Sequence, residues 1–352
     1  MTHRTMLGMP QPGGPDRSAR LIDRFGRVAK DLRVSLTDRC NLRCTYCMPA
    51  EGLRWLPTDE LLSTSELQRL MRIAVEHLGI EEIRFTGGEP LLRADLTALV
   101  GFAAELTPRP RLSLTTNGLG LARKADGLAR AGLDRINVSL DSIDPATYAT
   151  MTRRDRLADV LDGLSAARNA ALNPIKINAV LVRGVNDHQA PDLLRYCLAE
   201  GYELRIIEQM PLDAGRRWQR SAMVTAEEVL TLLQRRYTLT PDPHPRHHDP
   251  AERWLVDGGP GTIGLIASVT RPFCGDCDRV RLTADGMLRN CLFATDETDL
   301  RPLLREQDHG GEFADEAIAD AWRRSLWNKA AGHGIDHAGF AQPDRPMSAI
   351  GG

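Results

Sequence analysis

The sequence predicts an α/β fold: a partial α/β barrel of about six βα units, with a smaller C-terminal region closing the open side. Three observations lead there. Strand patterns alternate with helical ones, which marks a parallel sheet. Each of these strands has one polar face, although parallel strands covered by helices on both sides read as apolar throughout. Residues suited to holding ligands cluster just after the strands, where α/β folds bind them. A parallel sheet with helices on its apolar face alone suggests curvature around something large, polar and anionic.

The elements follow in order. In 31–37, Leu32, Val34 and Leu36 alternate with Arg33, Ser35 and Thr37. In 82–86, Ile83 and Phe85 alternate with Arg84 and Thr86. Strand 111–117 sets Leu112 and Leu114 against Ser113, Thr115 and Asn117; strand 135–141 sets Val138 and Leu140 against Asn137, Ser139 and Asp141. In 175–182, Ile175 and Ile177 alternate with Lys176 and Asn178, and in 202–209 Leu204 and Ile206 alternate with Glu203 and Arg205. The shared polar face carries more cations than anions. Of the helices, 65–78 is the clearest: Leu67, Leu70, Met71, Ala74, Val75 and Leu78 form one stripe, and Ser63 and Glu66 have capping-box spacing. Helical patterns also fall near 95–106, 121–131, 156–172 and 188–199, then from Thr225 to about Arg236 and over 312–331, with further strands near 262–269, 279–283 and 287–291. Residues 1–18 read as a disordered extension, 19–240 as the barrel, 241–252 as a Pro/His-rich loop, and 253–352 as the C-terminal region.

Charge and composition exclude several classes. The 352 residues carry 45 Lys+Arg against 47 Asp+Glu, so no global field attracts nucleic acid or an anionic membrane. No apolar run reaches membrane length and no secretory signal is visible. A cytoplasmic, reducing location is expected, where seven cysteines do not make a disulfide scaffold.

Six of those cysteines fall into two triples. Cys40, Cys44 and Cys47 form CxxxCxxC, and Cys274 and Cys277 form a CxxC followed by Cys291. Closed zinc sites and ferredoxin-type clusters both want four ligands. Three thiolates on a four-iron cluster leave one iron open to a small molecule. A zinc knuckle completed by a distant His also suits the second triple. Cys197 stands apart in an apolar helix and reads as a buried structural thiol. The dipeptide Gly-Lys never occurs, so there is no P-loop. Any nucleotide phosphates must be held by side chains such as Arg33, Arg84, Lys176 and Arg205, whose forks and charges suit phosphate oxygens.

The CxxxCxxC segment after the first strand, Tyr46 before its last Cys, and Gly87-Gly88-Glu89-Pro90 after the second strand resemble the radical S-adenosylmethionine (SAM) superfamily. Thr115-Thr116-Asn117-Gly118, Asn137 to Asp141, Lys176-Ile177-Asn178, Arg205 to Pro211, Arg279-Val280-Arg281, the second Cys triple and the terminal Gly351-Gly352 narrow the resemblance, over about residues 20–352, to the GTP 3′,8-cyclase family. That resemblance implies two [4Fe-4S] clusters, each with three Cys ligands and one open iron, and SAM as cofactor. SAM is cleaved reductively; the 5′-deoxyadenosyl radical takes hydrogen from C3′ of GTP, and C3′ bonds to C8 to give 3′,8-cyclo-7,8-dihydro-GTP. This is a carbon–carbon lyase reaction and the first step of molybdenum-cofactor synthesis. SAM would meet Tyr46, Gly88, Ser139 and Met210. GTP would meet Arg33, Arg84, Thr115, Lys176, Arg205, Arg279, Val280 and Arg281, with guanine on the second cluster's open iron. The tail, Gly351 and Gly352, would enter the active site. Implied partners are an electron donor and a downstream cyclic pyranopterin monophosphate synthase that acts on the product; a homodimer is compatible.

Two rivals differ in class. A peptide-modifying radical SAM maturase predicts cysteines after Cys291, and none follows. A non-catalytic GTP or iron–sulfur regulator needs neither open irons nor the Gly87–Pro90 segment. Cys44→Ser is expected to abolish SAM cleavage, and Cys277→Ser to retain some cleavage while losing cyclisation. Normal GTP cyclisation by both variants, assayed anaerobically, would overturn the cluster assignment.

Overall fold

The computed structural model describes residues 7–15, 17–18, 20–305 and 312–351. Its centre is a mixed sheet of twelve strands that does not close on itself. The strands are β1 (Asp31–Ser35), β2 (Glu82–Thr86), β3 (Arg111–Thr116), β4 (Arg135–Ser139), β5 (Ile175–Val180), β6 (Glu203–Ile207), β7 (Leu239–Pro241), β8 (Glu252–Val256), β9 (Thr262–Ile266), β10 (Arg279–Leu282), β11 (Met287–Arg289) and β12 (Thr298–Asp299). The order is β12-β11-β10-β1-β2-β3-β4-β5-β6-β9-β8-β7. From β10 through β9 every neighbouring pair is parallel; the strands outside them are antiparallel.

The helices are α1 (Thr64–Arg72), α2 (Leu96–Ala104), α3 (Ala125–Arg130), α4 (Pro145–Thr152), α5 (Leu157–Asn169), α6 (Ala190–Glu200), α7 (Ala226–Leu233), α8 (Arg301–Arg305), α9 (Glu312–Trp327) and α10 (Met347–Ile350). The expected 65–78 helix begins as α1 and continues as a π-helical turn to His77. Its capping box is formed: Glu66 N donates to Ser63 Oγ (3.2 Å) and Ser63 N to Glu66 Oε2 (2.7 Å). The stripe from Leu67 to Leu78 is buried, in one core with Leu32, Val34, Ile83, Phe85, Leu112, Leu114, Val138 and Ile177 from the sheet. These are the apolar partners in the alternation, so the helices cover that face and leave the polar face to the cavity described below.

Three features differ from expectation. The expected C-terminal lid is part of the main sheet: β9 pairs with β6 at one side and β10 with β1 at the other. Helix α4 had no apolar stripe to announce it; it is fixed by Asp144, which caps Thr147 N (2.8 Å), and by burial of Tyr148 and Met151. A hairpin, Leu21–Ile22 with Val28–Ala29, precedes β1. In the N-terminal extension, Gln11 N donates to Arg24 O (2.7 Å) and Arg17 pairs with Asp320 (2.8 Å). Among the described residues no helix is long and apolar enough to cross a membrane.

Ser63→Ala removes an N-cap and is expected to lower stability by about 1 kcal/mol. Anaerobic calorimetry would read this as a lower unfolding temperature; an unmoved transition would deny the cap any weight in the fold.

Candidate active site

A cavity of about 340 Å³ lies against the polar face. Cys40, Cys44 and Cys47, in the loop after β1, line it, and so do Cys274, Cys277 and Cys291, which flank β10 and β11. Residues far apart in the chain therefore share one space. Among the described residues, no three Cys, His, Asp or Glu side chains are gathered tightly enough for a single metal ion. His333 is the histidine on the cavity wall, and both its ring nitrogens are engaged: Nε2 with Ser268 O (3.0 Å) and Nδ1 with Ile335 N (3.1 Å). It is thus a poor fourth ligand for a zinc knuckle. Three soft thiols with an open side suit an iron–sulfur cluster in each set.

The first set sits in a backbone cradle. Cys47 N and Met48 N both donate to Cys44 O (3.0 and 3.1 Å). Tyr46 OH donates to Asp141 Oδ2 (2.8 Å), whose other oxygen accepts from Val180 N (2.9 Å). Burial pushes the Asp141 carboxyl up to about 6. Asn117 Nδ2 reaches Cys40 Sγ (3.8 Å) and Asn41 Oδ1 (2.7 Å). A Cβ on Gly88 would fall within 3.0 Å of the Asp38 and Arg39 carbonyl oxygens, so only glycine lets the β2 loop approach the cysteine loop this closely. Glu89 locks that approach. Fully buried, it accepts from Leu91 N (2.9 Å), Thr116 Oγ1 (2.6 Å) and Asn117 N (2.7 Å). Burial raises its carboxyl to about 7 despite these donors.

Five arginines line the cavity: Arg33, Arg84, Arg205, Arg279 and Arg281. Asp31 lies beneath three of them, 3.6 Å from Arg84 and 3.7 Å from both Arg33 and Arg279. Burial would raise its carboxyl, yet these guanidiniums hold it at about 2. Glu82 also bonds Arg84 (2.9 Å), yet positive charge remains: burial, Arg84 and Arg281 drive the Arg33 pKa well down, and burial and Arg279 bring Arg281 to about 10. The Nε atoms of Arg33 and Arg279, and Oδ1 of Asn137 and Asn178, are buried with no hydrogen-bond partner. On a cavity wall the two N–H groups suit an anionic ligand and the two amide oxygens suit hydrogen-bond donors on the same ligand. Asp249, between β7 and β8, bonds Arg205 (2.9 Å), and His248 O accepts from Arg279 (2.9 Å), so the Pro/His-rich loop links β6 and β10 across the cavity.

Most expected site residues meet here. Tyr46, Gly88, Thr115, Ser139 and Met210 line the cavity beside the cysteines and arginines. Lys176 does not; it pairs with Glu203 (3.3 Å), and burial together with Arg205 lowers it to about 8. The Val280 side chain points into the helix-side core, leaving only its backbone for a ligand. Gly351 is buried with φ +85°. Its carbonyl accepts from Arg281, and Ser35 Oγ donates to Ile350 O (2.9 Å), which anchors the tail beside the arginines. Gly352 lies outside the described residues.

Residues 34–197 match the family model for the radical SAM superfamily, and 202–335 the model described as Molybdenum Cofactor Synthesis C. A GTP 3′,8-cyclase of Mycobacterium marinum is 61% identical over 336 residues, 94% of this chain and 92% of that one. The chain belongs to the GTP 3′,8-cyclase family. Two other members are that of Streptomyces coelicolor, 61% identical over 94% of this chain and 96% of its own, and GTP 3′,8-cyclase 2 of Mycobacterium tuberculosis, 59% identical over 99% of both. Among solved structures, Streptococcus suis SuiB bound to S-adenosylmethionine superposes with a TM-score of 0.55 at 13% identity, covering 89% of this chain and 69% of that one. At that identity the likeness concerns the fold.

Sequence reasoning missed Asp249 and also Lys329, whose buried ammonium donates to Cys277 Sγ (3.5 Å), and weighted Asn137 and Asn178 too little. Strand alternation already put the two asparagines on the polar face; nothing local marks the other two. Glu89→Gln would turn one acceptor into a donor facing Asn117 N–H or Thr116, at a cost of about 1–3 kcal/mol. The expected outcome is weaker SAM binding and a lower unfolding temperature, and wild-type values in both would refute the role given to Glu89.

Proposed function

We propose that the chain is a radical SAM GTP 3′,8-cyclase whose reaction runs in this one cavity. It makes 3′,8-cyclo-7,8-dihydro-GTP, the first step of molybdenum-cofactor biosynthesis. The observation that carries the reading is that both cysteine triples and five arginines face the same space. The sheet is read as a partial barrel curled around that space. Support comes from a single cavity touching β1 through β6 together with β10. Residues 19–240 are read as the part serving SAM, and 253–352 as the second-cluster part.

Cys40, Cys44 and Cys47 would hold one [4Fe-4S] cluster and Cys274, Cys277 and Cys291 another, each with an open iron. When bound, the first supplies the electron that splits SAM into methionine and the 5′-deoxyadenosyl radical. Gly88 would let the methionine end of SAM lie against backbone. Tyr46, held by Asp141, and Ser139 and Met210 would orient the remainder. Arg33, Arg84, Arg205, Arg279 and Arg281 would take the triphosphate, whose negative charge relieves their mutual repulsion. Thr115 and the carbonyl of Val280 would fix sugar and base. Lys176, one step outside the cavity wall, would add long-range charge. The Gly351 carbonyl would hold Arg281 toward the substrate. The C3′ hydrogen of GTP would pass to the radical that SAM supplies, the C3′ carbon would bond to guanine C8, and one electron and one proton would complete the product. An electron donor supplies both reducing equivalents, and a cyclic pyranopterin monophosphate synthase consumes the product.

The test uses anaerobic, reconstituted protein with dithionite, SAM and GTP deuterated at C3′. GTP-dependent 5′-deoxyadenosine carrying deuterium is expected. Deoxyadenosine formed without GTP dependence or label would point to a different substrate. Arg279→Gln is expected to raise KM for GTP at least tenfold, about 1.4 kcal/mol, because it removes a buried cation from the wall. An unchanged KM would take the triphosphate elsewhere.

A further inference from the structure

Two buried cations outside the cavity wall hold the segment that carries Cys274 and Cys277. Arg27, between the strands of the N-terminal hairpin, donates to Cys274 O (2.8 Å), Ala331 O (3.1 Å) and Ala330 O (2.7 Å). Its charge is answered by Asp23, 2.5 Å away. Lys329, just beyond α9, is only 2% exposed. Its Nζ donates to Cys277 O (3.0 Å), Arg279 O (2.9 Å) and Cys277 Sγ (3.5 Å).

The two cations differ in one respect. Among the described residues, no carboxylate pairs with Lys329. Two carbonyls satisfy its N–H groups without neutralising it. A buried ammonium that lacks an anion is costly, and removing the partner of a buried charge destabilises strongly. Of its three acceptors only the Cys277 sulfur can carry a full negative charge. The sulfur in turn gains a charge-assisted N–H donor. A purely mechanical tie between α9 and β10 would need the carbonyl bonds alone; the third bond aims the ammonium at a thiol of the second set.

We propose that Lys329 is a positioning residue for the second cluster: its ammonium is the built-in counter-ion of Cys277 and makes the cluster held there easier to reduce. The proposal rests on the two-cluster reading above. Hydrogen bonds to sulfur and nearby positive charge are among the levers that set such potentials, and both favour the form with the extra electron. The step is a one-electron reduction. In the test that electron comes from dithionite, no bond to Lys329 forms or breaks, and Lys329 keeps its proton.

The experiment isolates the second cluster in a variant with Cys40, Cys44 and Cys47 all changed to Ser, reconstituted anaerobically. Its midpoint potential is read by EPR during a dithionite titration, alongside iron content. With Lys329→Met added, the reduced-to-oxidised ratio at the unmodified midpoint is expected to fall about tenfold, a shift of about 59 mV downward for one electron. With Lys329→Arg, which keeps the charge, iron content and midpoint are expected to stay near the parent values. Should Lys329→Met lose the cluster while Lys329→Arg keeps it at the parent midpoint, the counter-ion role is upheld. An unshifted midpoint in Lys329→Met overturns it, as does loss of the cluster or an equal shift in both variants. No cluster in the parent variant would instead sink the two-cluster reading, and this inference with it.

Discussion

The parallel pairing of β10 with β1 is the contact on which the site depends. Its register sets Arg279 beside Asp31 and Arg281 beside Arg33. That single ladder joins the last third of the chain to the first strand and turns two distant cysteine triples toward one cavity. It also stacks like charges. Asp31 lies within 3.7 Å of Arg33, Arg84 and Arg279, Glu82 also bonds Arg84 (2.9 Å), and the surrounding guanidiniums hold the Asp31 carboxyl well below the usual carboxylate range. Asp31 and Glu82 make the pairing tolerable, and the lowered Arg33 and Arg281 show that positive charge remains for a ligand.

The two halves of the cavity differ in charge. Near the first cysteine set stand Asp141 and Glu89, carboxyls raised by burial, with a cation, Arg43, on the Cys40 carbonyl (2.7 Å). Near the second stand Lys329, Arg27, Arg279 and Arg281, with Asp278 among them. A cationic sulfonium suits the first surroundings and a triphosphate the second. Backbone geometry reinforces the division: Gly88 brings one loop against the cysteine loop, while Gly351, at positive φ, brings the chain's end against Arg281.

Much of this was legible from residue order, because a strand's two-residue period states which side chains share a face. Arg33, Arg84, Thr115, Ser139 and Arg205 were placed on a common polar face by alternation alone, and they line the cavity. The same period argues that Val280, between two arginines, faces the core, as it does. Alternation fixes the face but not the depth, so Lys176 shares that face with Asn178 yet lies off the wall, tied to Glu203. Contacts made by chain reversal left no local trace. Lys329 follows a helix with nothing to distinguish it, and Asp249 sits in a stretch whose composition says only that it is not a strand or helix. Helix α4 lacked an apolar stripe because its hold comes from a cap and a few buried side chains.

The central claim is that one cavity presents SAM to one cysteine set and GTP to the other. EPR of two half-site variants tests it most directly: one with Cys40, Cys44 and Cys47 replaced by Ser, the other with Cys274, Cys277 and Cys291 replaced. The account predicts that GTP alters the signal only where the second set survives, and SAM only where the first does. Perturbation of the first-set signal by GTP alone, or of the second-set signal by SAM alone, would contradict it.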